Sequence, residues 1–229
     1  MLSNPDTIIF FEWGWFKLNA TILITWIIML ALTIISWLIT RKLTSSGPLT
    51  KGQNLLEVLV SMINEQIREI SGKHPGQFLP FIGTLFIFIA ISNILTIVPG
   101  YIPPTGSLST TAALALSVLV AVPVFGIANQ GFISYLKQYI RPNIFMLPFN
   151  IIGELSRTLS LAVRLYGNIM SGTIIVGILL SVTPLLFPII MQAFGLLIGV
   201  IQAYIFAILA MVYIASASEA SKHNKDKGG

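Results

Sequence analysis

Five long apolar stretches, at residues 19–39, 78–98, 108–128, 149–180 and 186–215, decide what this chain can fold into. About 20 apolar residues cross a hydrocarbon core about 30 Å thick, and inside that core every backbone N–H and C=O has to be paired within the protein. Helices meet that demand. The sequence therefore predicts an all-α membrane protein of about five membrane-embedded helices. The first three stretches suit simple crossings. The last two are longer than a crossing needs, so at about 1.5 Å per residue they are expected to tilt or bend as a long helical hairpin. Pro123 and Gly126 are candidate bending points in the third stretch, and Pro184 and Pro188 bracket the turn between the last two.

The rest of the composition agrees with lipid as the solvent. Only 9% of the 229 residues are charged and 55% are hydrophobic, whereas a soluble domain carries roughly 25% charged residues. The mean hydropathy is +0.88. Cysteine is absent and histidine occurs twice, which excludes disulfides and thiol chemistry and leaves little for a metal centre, so no metal site or cofactor is expected. Residues 1–6 carry no basic run followed by a cleavable apolar segment, so the first stretch is expected to be a permanent anchor.

The net charge of +5 is spread over short segments between apolar ones rather than gathered in an aromatic-laced patch, which argues for topology and against a nucleic-acid partner. Arg41, Lys42, Lys51, Arg68 and Lys73 lie between the first and second stretches, Lys137 and Arg141 between the third and fourth, and Lys222, Lys225 and Lys227 after the fifth. The connections at 99–107 and 181–185 hold no Lys or Arg. Alternation of this kind predicts an N-terminus outside and a C-terminus in the cytoplasm, which an odd number of spans satisfies.

In the first basic loop, Leu56, Leu59, Val60, Ile63, Ile67 and Ile70 recur at helical spacing within 53–70, predicting a cytoplasmic amphipathic helix on the lipid surface or against a partner. A smaller one is expected at 132–139. The chain divides into an anchor and amphipathic loop (1–77), a membrane hairpin and loop (78–147), the long helix pair (148–218) and a tail (219–229), whose end at 222–229 is expected to be disordered.

Function is concentrated in the fourth stretch, where Glu154, Arg157, Ser160, Arg164, Asn168 and Ser171 follow at intervals of three, three, four, four and three. Those intervals place them along one side of a helix. A single Arg at the centre of a membrane helix costs about 2.5 to 3.5 kcal/mol on the insertion scale, so Arg164 is expected to face protein or a wet cavity and to have a function. No acidic residue stands three or four positions from it. Glu154 and Arg157, three residues apart near the cytoplasmic end, suit either a helical ion pair or a part in an ion path.

The fifth stretch offers a matching face, with Gln192, Gly195, Gly199 and Gln202 at intervals of three, four and three and Tyr213 further on. Small residues let helices approach closely, and buried glutamines bond to a neighbour. Thr173, nine residues after Arg164, falls on the opposite side of its helix. It suits a separate aqueous approach or a bond to its own backbone, and Ser171 shares the second reading.

The run Ser160-Leu161-Ala162-Val163-Arg164-Leu165-Tyr166-Gly167-Asn168 resembles the signature of subunit a of F-type ATP synthases, supported by 202–206 (QAYIF) and the ending 213–218 (YIASAS). The likeness extends over 148–218 and the general layout, while the first 70 residues contribute little to it. By this resemblance the chain is a stator that offers proton or sodium half-channels to a rotating c-ring whose subunits each bear a membrane carboxylate. Arg164 matches the essential stator arginine, and Asn168 and Gln202 match polar positions around it.

The partners so implied are the c-ring, b-type peripheral stalk subunits, membrane lipid and the remainder of the ATP synthase. The membrane implied is a bacterial inner membrane or a thylakoid. The chain departs from many relatives in having Thr173 and Gly195 where they carry acidic or His residues, while the wording of 153–158 and 169–172 looks like the sodium-type branch. Proton and sodium both stay open. No Gly-x-x-x-x-Gly-Lys-Ser/Thr loop occurs, so no ATP chemistry of its own is expected. The alternatives of another class are an ion-coupled secondary transporter, against which no paired halves stand out, and a structural membrane subunit.

Overall fold

The computed structural model describes residues 9–13, 16–41, 51–71, 75–98, 101–140, 145–183 and 187–219. Lys42, Lys73, Arg141, Pro184 and the tail at 222–229, to which the sequence pattern assigns roles, lie outside these described residues. Among the described residues, seven α-helices follow a short antiparallel ribbon of β1 (Ile9–Trp13) and β2 (Phe16–Asn19). They are α1 (Ala20–Thr40), α2 (Lys51–Ser71), α3 (Pro75–Ile94), α4 (Leu108–Gln130), α5 (Phe132–Ile140), α6 (Met146–Val182) and α7 (Phe187–Glu219). Five of them, α1, α3, α4, α6 and α7, are long and apolar enough to cross a membrane. The ribbon adds to the expected helices: its run of Ile9, Phe10, Phe11, Trp13 and Phe16 is rich in strand-forming side chains and too short to compete as a span.

The helices form because apolar runs in lipid have no other way to pair their backbone, and their ends fall where the residue chemistry changes. Helix α4 stops at Gly131, whose φ of 81° is accessible to glycine and whose N–H donates to the Ile127 carbonyl at 2.8 Å. Gly126 makes the next turn possible. A Cβ there would lie 2.6 Å from the Tyr135 ring, so the missing side chain lets α5 fold back against α4. Pro80 and Pro123 sit inside α3 and α4, and Thr84 Oγ1 donates to the Pro80 carbonyl at 2.6 Å.

Helix α7 packs on α3, α4 and α6, and α6 also lies along α4. Phe206, Met211 and Ile214 of α7 meet Ile89, Val118, Leu161 and Leu165 in the buried core. Phe78 and Phe125 join α3 to α4 with ring centroids 5.2 Å apart. The stripe of α2 turns toward its own chain: Ile67 is buried, and Leu59, Ile63 and Ile70 line a groove with Ile82 and Phe86 of α3 and Tyr204 and Met211 of α7. Tyr204 Oη donates to Gln66 Oε1 at 2.8 Å across that groove. By contrast α1 is hardly packed; Trp26, Leu30, Trp37 and Leu38 are exposed along its length.

Candidate functional site

The polar stripe lies on one helix, and the packing of α6 decides which way it points. Leu161, Ala162 and Leu165 are its buried residues. A helix that buries that side presents the other, and Arg157, Ser160, Arg164, Asn168 and Ser171 are all exposed, with Glu154 half-buried at the edge. Arg164, expected to face protein or a wet cavity, is exposed on this chain. Arg164 stands on the outward face because the leucines around it are the side that α4 and α7 accept.

Two cavities flank that position. The first, of about 470 Å³, is lined on α6 by Phe149, Asn150, Gly153, Glu154, Arg157 and Thr158 and completed by residues of α4, α5 and the end of α7. Within it the Arg157 guanidinium stands 5.5 Å over the ring of Tyr213, a cation–π contact. The second, of about 340 Å³, is lined on α6 by residues from Asn168 to Val176, including Thr173, and on the other sides by the 101–106 connection and the start of α7. Neither is lined by any residue from 159 to 167. Arg164 lies about 9 Å along the helix axis from Thr158 and about 6 Å from Asn168, so its position on α6 falls between the two linings.

The two cavities differ in chemistry. The first contains a carboxylate and a guanidinium, from Glu154 and Arg157. The second is lined by the hydroxyl residues Thr96, Tyr101 and Thr173 and the carboxamides Asn168 and Gln192, and among the described residues no acidic or histidine side chain lines it. Burial pushes the Tyr101 phenol well above its ordinary pKa, so this group keeps its proton and serves as a neutral dipole. Thr173 Oγ1 donates to the Ile169 carbonyl at 2.9 Å and Ser171 Oγ to the Asn168 carbonyl at 3.2 Å. Both hydroxyls close on their own helix, and Thr173 also lines the second cavity.

The α7 face predicted to meet α6 is divided between two neighbours. Asn168 Nδ2 donates to Gln202 Oε1 at 2.8 Å, joining α6 to α7 one turn from Arg164. Gln202 is 3% exposed, and its Nε2 is buried without a hydrogen-bond partner among the described residues. Gln192 turns the other way, donating to the Thr96 carbonyl at 2.8 Å, and Gly199 faces Asn93 of α3. The single-face expectation thus holds for Gln202, and for Tyr213 through Arg157, but not for Gln192 and Gly199, because α7 lies between α3 and α6 and positions at three- and four-residue intervals are wide enough to touch both.

Sequence reasoning passes over Asn93. Its carboxamide is buried, donates to the Gly199 carbonyl at 2.8 Å and accepts from Thr105 Oγ1 at 2.7 Å. An amide deep inside a mostly apolar span is the available signal.

The chain has close counterparts among known proteins. A family model described as ATP synthase A chain matches residues 22–215. Among similar proteins, ATP synthase subunit a 2 of Acaryochloris marina is 61% identical over 224 residues, covering 98% of this chain and 96% of the relative. ATP synthase subunit a of Albidiferax ferrireducens is 57% identical over 228 residues, with 100% and 99% covered. ATP synthase subunit a 1 of Chlorobaculum parvum is 56% identical over 218 residues, with 95% and 96% covered.

Proposed function

Since the chain belongs to the ATP synthase A chain family, we propose that the outward face of α6 is where it hands ions to the rotor, with Arg164 as the fixed charge between two entrances. Membership makes the chain a multi-pass, ion-translocating stator component of an ATP synthase that performs no nucleotide chemistry itself. The residue assignments and the orientation are our reading. One observation carries it: a cavity opens on either side of Arg164 along α6, and the guanidinium lines neither.

In this reading the cavity around Glu154 and Arg157 opens to the cytoplasm, on the side of the basic loops, and the cavity around Thr173 and Gln192 opens to the outside. An ion entering one cavity has no way past Arg164 as a free cation, since the guanidinium stays protonated at any working pH and repels it. It leaves the cavity on a rotor carboxylate. When that carboxylate returns empty it is negative, and pairing with Arg164 compensates its charge at a depth where an unpaired charge is expensive. Asn168, held by Gln202, sits at the outer margin of this contact and supplies a neutral polar edge beside the cation.

The c-ring then covers the exposed stripe of α6, and the b-type stalk subunits take other outward surfaces. The bacterial inner membrane is the location that suits the basic-loop orientation. In the outer cavity an ion moves among hydroxyl and amide oxygens and water, because the lining supplies no carboxylate or imidazole among the described residues to relay a proton. Sodium and hydrated protons both fit such a lining. ATP-driven uptake into liposomes, measured with and without sodium at constant pH, distinguishes them: a requirement for sodium assigns sodium, and indifference assigns the proton.

The test of the central claim is Arg164→Ala in the assembled complex. Coupled ion uptake is expected to vanish while the complex still assembles, and Arg164→Lys is expected to restore little because the ammonium lacks the fork geometry and sheds its proton more readily. Wild-type pumping by Arg164→Ala rules the proposal out.

A further inference from the structure

We propose that Asn93 is a positioning residue that fixes the shape of the outer cavity by tying two of its three walls together; the inference rests on the ion path just described. That cavity is bounded by α6, by the connection between α3 and α4 and by the start of α7. Asn93 stands on α3, 1% exposed. Its Nδ2 donates to the backbone carbonyl of Gly199 in α7 at 2.8 Å, and its Oδ1 accepts from Thr105 in the connection at 2.7 Å. Each end of one planar carboxamide thus holds a different wall.

The bonded residues are next to those that line the opening. Gly199 lies one turn beyond Gly195, which lines the cavity together with Gln192, and Thr105 adjoins Gly106 and follows Pro103 by two residues, both lining the facing side. The same seam carries a second link, from Gln192 Nε2 to the Thr96 carbonyl at 2.8 Å, which ties α7 to the turn that follows α3. Gly199 has no side chain for a reason. A Cβ there would lie 2.9 Å from Asn93 Cβ and 3.3 Å from its Cγ, so glycine is what admits the carboxamide to a carbonyl that a side chain would shield. A carbonyl oxygen has two lone pairs, so this bond adds to the helical one instead of replacing it.

An apolar side chain of similar volume would fill the same space, and in a membrane bundle an interhelical bond adds little stability on average. What the amide adds is register. Sliding α7 by a single residue along its axis, about 1.5 Å, breaks a directional bond of this length, whereas a leucine contact tolerates the shift. Asn93 therefore sets where Gln192 and Gly195 stand relative to the 101–107 connection. The cytoplasmic cavity is built from α4, α5, α6 and the far end of α7, and neither Gly199 nor Thr105 is next to a residue lining it, whereas both are near residues of the outer lining.

That asymmetry provides the test. The intact complex carrying Asn93→Leu, and separately Thr105→Val, is reconstituted into liposomes. The half-saturating concentration of the transported ion is then measured for synthesis from the outer side and for ATP-driven pumping from the cytoplasmic side. We expect the outer value to rise on the order of 5-fold or more, with the cytoplasmic value unchanged. Thr105→Val keeps the side-chain shape and cuts one bond, so it carries the test if Asn93→Leu assembles poorly.

A loosened fold moves both values together, and that result, like an unchanged outer value, overturns the proposal. Asn93→Gly combined with Gly199→Ala removes the Cβ and carboxamide that a lone Gly199→Ala would meet but restores no bond. The double variant is expected to keep the outer defect, and its return to wild-type behaviour would show that packing alone matters. Arg164→Ala, run in parallel, separates the two levels: if it pumps normally the ion path itself is wrong, and if it is inactive while Thr105→Val is normal, only the role of Asn93 is wrong.

Discussion

The two longest helices are built from similar material and used in opposite ways. Helix α6 has 37 residues and α7 has 33, and both are apolar enough to span a membrane. Yet 39% of the most apolar window of α7 is buried and only 6% of that of α6. Helix α7 is anchored along its length. Asn93 holds its Gly199 carbonyl, Gln130 donates to its Ala217 carbonyl at 2.6 Å, and its own Gln192 and Gln202 bond to the end of α3 and to α6. Helix α6 has a buried seam of Leu161, Ala162 and Leu165 and an opposite face that carries the exposed Arg164 into the apolar zone. In our reading the contrast is a division of labour between a strut and a working face: polar groups on α7 hold helices together, and the exposed ones around Arg164 on α6 await another surface.

If that division is real, the largest functional effect comes from the exposed helix and the largest structural effect from the buried one. Arg164→Ala is expected to lower coupled ion transport at least about 100-fold, a loss of the size seen when a group acts directly on the reacting charge, while the assembled complex keeps its thermal stability. Next in size is Phe206→Ala, a side chain with 0% exposure on α7. It is expected to cost about 3 to 5 kcal/mol through the cavity it leaves, read as a lower melting temperature and less assembled complex. Val163→Ala, an exposed position next to Arg164, is its control and is expected to change stability by no more than about 0.5 kcal/mol. Equal destabilisation by the two alanines would erase the distinction between strut and face.

Much of this division is legible in the sequence alone. The spans are readable because a bilayer imposes a length and forbids unpaired backbone, and the α6 stripe is readable because an Arg set among polar residues at three- and four-residue spacing gains nothing from lipid and costs energy to keep there. Which neighbour each face meets is not readable. Gln192 and Gln202 share a periodicity, but one bonds to the turn after α3 and the other to α6, a split set by where α7 sits in the bundle. Asn93 is an amide in a mostly apolar span, and its importance depends on a glycine 106 positions away. The cost of a buried charge predicts that Arg164 avoids lipid, but not that this chain leaves it exposed. In our reading the guanidinium faces the place of a partner, and a single sequence carries no record of a partner's surface.

The bond between the strut and the face is the finer point on which the comparison can be broken. Gln202→Leu removes the acceptor for Asn168 Nδ2, a side-chain hydrogen bond that links α6 directly to α7. Stability is expected to fall by about 0.6 kcal/mol, the average for such bonds in a membrane bundle, because the Gln202 Nε2 has no partner among the described residues and leaves with the rest of the amide. Transport should fall further than stability does, by several-fold in the coupled uptake assay, since Asn168 then loses the contact that orients it beside Arg164. A loss of transport strictly proportional to the loss of folded complex would reduce Gln202 to part of the strut.

The smallest expected effect is also the most discriminating. Thr173→Val keeps shape, and it removes a hydroxyl whose bond is to the Ile169 carbonyl of its own helix. Such back-bonding contributes little or even bends the helix, so stability should stay within about 0.5 kcal/mol of wild type. If Thr173 only closes on its backbone, uptake is also unchanged. But the side chain lines a cavity in which neutral oxygens are what the side chains offer a cation, and replacing one by a methyl makes that wall apolar. We therefore expect a modest slowing, about twofold, confined to ions entering from the outer side, with the cytoplasmic side unaffected. A change on the cytoplasmic side instead would mean that the two cavities are not separated at Arg164, and the contrast between a sealed strut and a two-sided face would have to be given up.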